Sequence, residues 1–83
     1  MRMYMQFSDI ERGFVRFSQM ILQQDMLGGW LLISESGIQG EPGRVLKQQF
    51  PSAEAAEQAL IKARDKLIAK GYKLVFLKGM DPQ

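Results

Sequence analysis

Apolar and polar residues alternate from the start of the chain: Met1, Met3, Met5 and Phe7 interleave with Arg2, Tyr4 and Gln6. A period of two predicts a strand with one buried face. Polar residues 9–13 predict a turn. A second strand follows over 14–23, FVRFSQMILQ, rich in β-formers but apolar on both parities, so its facing stays open. Residues 24–29 form a connection with its own apolar pair, Met26 and Leu27, before a third strand over 30–34. Gly37, Gly40 and Gly43 mark a loop over 37–43, closed by Pro42-Gly43 turn chemistry. A fourth strand, residues 44–50, puts Leu46, Gln48 and Phe50 on one face.

After Pro51 the period changes to that of a helix. Ala56, Leu60, Ala63 and Leu67 form a stripe, flanked by Ala59 and Ile68. Ser52 is the expected N-cap and Glu54 sits where the helix dipole favours an anion. Position 55 is alanine, so the reciprocal capping box is incomplete. Lys66 and Lys70 occupy the last turn, and Gly71 is placed to end it in the left-handed conformation. The helix is predicted over 53–70. A last strand over 72–77 is apolar on both parities and is expected to be well covered; residues 79–83 are expected to be a flexible tail. Several strands and one long helix predict an α+β fold over residues 1–78: a small antiparallel β-sheet with the helix packed across it.

Length and composition narrow the functions. Eighty-three residues fit one domain. A hydrophobic fraction of 46% with 24% charged residues argues for a folded chain. There is no cysteine and no histidine, which removes disulfides, thiolates, two usual zinc ligands and the common general base. No apolar run is long enough to cross a membrane, and MRMYMQFSDIER lacks the uninterrupted apolar stretch of a signal peptide. A cytoplasmic monomer with no cofactor and no metal is expected.

A net charge of +2 does not by itself argue for nucleic acid. Its distribution is uneven: residues 1–43 carry three basic and five acidic groups, residues 44–83 eight basic and four acidic. Lys62, Lys66 and Lys70 form one helix stripe, able to track phosphates or simply to be a solvated face. The glycines fit neither the dinucleotide fingerprint nor a P-loop. GIQG matches the KH-domain clamp only in letters, because its flanks read as strands. The Met1-x-Met3-x-Met5 set reads as buried filler rather than a Cu(I) site, and Trp30 as a core anchor rather than a stacking platform. Ser34-Glu35-Ser36 offers hydroxyls near a carboxylate, but no base can be placed beside them, so no enzymatic activity is expected.

Three segments, in order, resemble the WGR domain family, named for a Trp-Gly-Arg triplet and found in poly(ADP-ribose) polymerases and in short bacterial stand-alone chains. Arg16-Phe17 opens a strand running through Met20 and Leu22 to QQDMLGGW. EPGRVLKQQFPSAEAAEQAL is similar to the family's Pro-Gly turn, basic strand and helix opening, and KLIAKGYKLV to its closing Gly-Tyr segment. The likeness covers residues 3 to about 77 and implies a WGR-like fold. Counted from Trp30, the signature triplet falls on Ser36-Gly37-Ile38, so only its glycine is kept, with Gly40 and Gly43 keeping the turn. In DNA-binding members the tryptophan stacks at a DNA end and the arginine holds the backbone. Ser36 offers no stacking face and Ile38 no charge. The resemblance implies a non-catalytic interaction module. One reading is weak, sequence-independent DNA binding through Arg44, Lys47, Lys70 and Lys73; the alternative is a protein-binding module that has lost DNA recognition.

Overall fold

The first four strands are consecutive hairpins. The computed structural model describes residues 1–79. β1 is Arg2–Asp9, β2 Phe14–Gln24, β3 Trp30–Ile38 and β4 Arg44–Phe50, each antiparallel to the one before. Helix α1, Ala53–Ala69, follows, and β5, Lys73–Lys78, returns to pair antiparallel with β1. The sheet order is β4-β3-β2-β1-β5, giving an α+β domain with one helix across one face. Of the tail expected from the sequence, residues 80–83 lie outside the described residues.

This order dictates the path of the helix. It leaves β4 on one edge and must deliver the chain to β5 on the other. Seventeen residues reach about 26 Å at 1.5 Å per residue, against about 19 Å for four strand spacings. The helix therefore crosses the sheet obliquely and contacts β2, β3 and β4. Beneath it lie Met3 and Met5 of β1, Met20 and Leu22 of β2, and Leu32 of β3, closed by Ala56 and Leu60. The facing of β2 is thereby settled: Ser18, Met20 and Leu22 face the helix, whereas Phe17 and Ile21 face away. Leu60 is the helix's one large fully buried side chain, and its burial contributes roughly 1.5–3 kcal/mol. Trp30 pairs across the strands with Phe50, and both pack on the edge of this core.

The helix ends follow their sequence signals. The Ser52 Oγ accepts the Ala55 N–H at 3.1 Å, satisfying one of the free donors of the first turn. At the other end Gly71 has φ +104°, and the Tyr72 N–H donates to the Leu67 carbonyl at 3.0 Å. Lys70 is the C-cap rather than a helical residue, one position short of the predicted 53–70.

Two expectations are corrected. β3 does not stop at Ser34 but runs to Ile38, which reduces the 37–43 loop to 39–43. Gly37 is a strand residue paired with Phe17. A Cβ on Gly37 would lie 3.2 Å from the Gly43 Cα and 3.7 Å from the Phe17 ring. One on Gly43 would lie 2.9 Å from the Glu35 side chain and 3.1 Å from that ring. These two glycines make room for Phe17, as an aromatic covering a strand glycine, and of Gly37, Gly40 and Gly43 only Gly40, with φ +90°, turns the chain in the left-handed region. The second correction concerns the last strand, which is not covered. All six residues of β5 are exposed, with Leu74, Val75, Phe76 and Leu77 at 45–57%. The helix ends before it can lie over this edge, and a bulge opposite Tyr4 and Met5 shifts the register there.

Candidate nucleic-acid interface

Ser36, Gly37 and Ile38, the positions that the sequence resemblance sets against the signature triplet, sit at the end of β3 that leads into the 39–43 loop. Alternation along β3 puts Ser36 and Ile38 on the helix side of the sheet, with buried Leu32 and half-buried Ser34. The oblique helix leaves this corner open, so Ser36, Arg44 and Leu46 are all exposed. Cross-strand register then decides the neighbours. Ser36 lies between Ser18 of β2 and Arg44 of β4, and Ile38 lies opposite Arg16 of β2. Arg16 and Arg44 therefore flank the two positions on one face. The Arg16 guanidinium rests over the Phe14 ring, 5.2 Å from its centroid, which restricts its orientation.

The four cations singled out from the sequence do not form one cluster. Arg44 and Lys47 are on edge strand β4, but Arg44 faces the helix side and Lys47, opposite Ile33, the other side. Lys70, the helix C-cap, and Lys73, opening β5, belong to the far edge of the sheet. Four strand spacings, about 19 Å, separate the edges. Only Arg44 adjoins the triplet positions. Arg16, not among the four, is the second cation there. β2 is apolar on both parities, so nothing local marked Arg16, and it becomes readable only with the β2–β3 register.

Other candidate chemistry is dispersed. Ser34 and Ser36 lie on the helix side of the sheet while Glu35 projects from the other side, where its carboxylate lies beside the positions of Gly43 and Phe17. Among the described residues no three His, Cys, Asp or Glu side chains are placed to hold a metal ion. Among the described residues no helix is long and apolar enough to cross a membrane. The Met1 amino group donates to the Leu22 carbonyl at 3.1 Å, and its pKa is lowered by burial and then by the charge of Arg2.

No family profile, curated protein or solved structure matches this chain.

At the opposite end of the sheet, the 25–29 turn between β2 and β3 is organised by Asp25. Its Oδ1 accepts the N–H groups of Leu27 and Gly29, each at 2.8 Å, and Gly28 takes φ +92°. Met26 and Leu27 are held at the tip, 100% and 91% exposed.

Proposed function

We propose that this chain is a non-catalytic interaction module of WGR-like fold that binds DNA weakly, as a monomer, through the phosphate backbone and without reading sequence. The observation that carries the reading is the placement of Arg16 and Arg44 beside Ser36 and Ile38 on an uncovered corner. The triplet positions have lost the aromatic face and the charge, but the strand ends beside them still present two guanidiniums. Guanidiniums hold phosphates by paired hydrogen bonds, which position a nucleic acid without specifying it.

The test is a salt series of binding to a nicked duplex. Each phosphate contact contributes about one unit to the slope of log affinity against log salt. Arg16→Ala and Arg44→Ala should each lower that slope by about one, whereas Lys47→Ala, on the opposite face, should leave it unchanged. Equal slopes for all four proteins, or no binding at low salt, would refute the reading.

The 25–29 turn supports a second reading, as a protein-binding module. An ordered turn that presents two fully exposed apolar side chains has the form of an anchor for a partner's pocket. Under that reading Met26→Ser with Leu27→Ser abolishes capture of a partner and leaves the nicked-duplex slope untouched.

A further inference from the structure

The face of the sheet turned away from the helix carries its own set of groups. Phe76 of β5, Tyr4 of β1 and Phe17 of β2 stand on three adjacent strands, Phe76 directly opposite Tyr4. The Tyr4 and Phe17 rings are parallel within 3°, with centroids 5.9 Å apart. Gln39 donates its side-chain N–H to the Tyr4 hydroxyl at 3.0 Å, and Phe17 rests over the space left by Gly37 and Gly43. Two of the three rings are therefore held in place, and the third, Phe76, is 45% exposed.

A second cross-strand row, Lys78, Arg2, Ile21, Ile33 and Lys47, runs two residues, about 7 Å, from Phe76 and Tyr4 and four residues, about 13 Å, from Phe17. Cations stand at both ends of it, and Lys73 adds another in the cross-strand row of Phe17, opposite Gln6. Against these, Glu35 is the one carboxylate that the described strand residues place on this face. Gln19 lies opposite Tyr4, Gln6 lies between Lys73 and Phe17, and Gln49 lies opposite Leu31, with amides that both donate and accept.

We propose that this face is a binding platform for single-stranded nucleic acid, with bases stacked over Phe76, Tyr4 and Phe17 and the phosphates following the row from Lys78 and Arg2 to Lys47. The chemistry is complementary at each level. Flat rings on neighbouring strands accept successive bases regardless of identity, the cation row neutralises the backbone, and the glutamine amides meet base edges. A protein partner fits less well, because protein interfaces are depleted in lysine, and here Lys73 and Lys78 flank Phe76 on the same face of β5. This site is separate from the Arg16 and Arg44 corner, on the other side of the sheet, so either can fail alone.

The experiment is fluorescence anisotropy with an end-labelled oligothymidylate decamer and an abasic decamer of equal length and charge, at low salt. The wild-type chain should favour the thymidylate by on the order of tenfold, the size of one or two stacked bases. Phe76→Ala, at an exposed position, should lower thymidylate affinity about tenfold and leave abasic binding unchanged. Arg2→Glu with Lys78→Glu should weaken both oligomers together. Circular dichroism confirms that each variant is folded. Equal affinity for the two decamers, or thymidylate binding indifferent to Phe76→Ala, would overturn the proposal. So would failure to bind either decamer at low salt. The Arg16→Ala and Arg44→Ala variants should retain the thymidylate preference, which separates this result from that of the duplex test.

Discussion

Gly71→Ala places a methyl group where both backbone and neighbour oppose it. Gly71 sits at φ +104°, and a Cβ there would lie 3.1 and 3.3 Å from two carbons of the Phe7 ring. The backbone contribution, a left-handed conformation forced on an L-residue, is about 1–2 kcal/mol. The ring contact adds to it. Phe7 packs against Tyr72 with centroids 5.6 Å apart, so it can yield only by disturbing that pair, and crowding of this kind costs about 1 kcal/mol. The expected loss is about 2–3 kcal/mol, or roughly 10–20 °C in melting temperature for a domain of this size. Thermal melts followed by circular dichroism, with urea unfolding followed by Trp30 fluorescence, measure it. Gly13→Ala is the internal control: its φ is +79° but nothing lies within 4 Å of the added methyl, so it isolates the backbone cost. In a double-mutant cycle with Phe7→Ala, the Gly71→Ala loss should shrink toward that of Gly13→Ala. A Gly71→Ala loss no greater than the Gly13→Ala loss would refute the role given to Phe7, and an unchanged midpoint would refute the helix stop itself.

Other outcomes follow from the same geometry. Ser52→Ala removes the cap on the Ala55 N–H and should cost about 1 kcal/mol, read as a fall of about 4–8 °C in Tm. Ser36→Trp with Ile38→Arg adds a stacking face and a third guanidinium between Arg16 and Arg44. It should raise affinity for nicked or blunt-ended DNA over continuous duplex by on the order of tenfold; equal gains on both substrates would show added charge alone.

The helix was almost fully legible in the sequence because its signals are local. A capping serine, a 3.6-residue stripe and a glycine stop lie within one continuous stretch and need no partner to be read. β4 was legible for the same reason, between Pro42-Gly43 and Pro51. What failed depended on neighbours. Gly37 reads as a loop residue until Phe17 is known to lie across from it. The apolar run of β5 reads as buried until the helix is seen to end short of that edge. The apolar residues on both parities of β2 were ambiguous because both faces are used, one for the core under the helix and the other for the half-buried rings of the opposite face. The proposed interface was legible only at Arg44, since the pairing of Arg16 with Ile38 and the opposite facing of Lys47 are properties of register.

The most direct measurement is an amide chemical-shift titration of the labelled protein with a nicked DNA duplex at low salt. If the corner beside the triplet positions holds DNA, the shifts should concentrate at Arg16, at residues 36–38 and at Arg44, and should collapse as salt is raised. Shifts confined to the 25–29 turn, or none at any salt concentration, would contradict it.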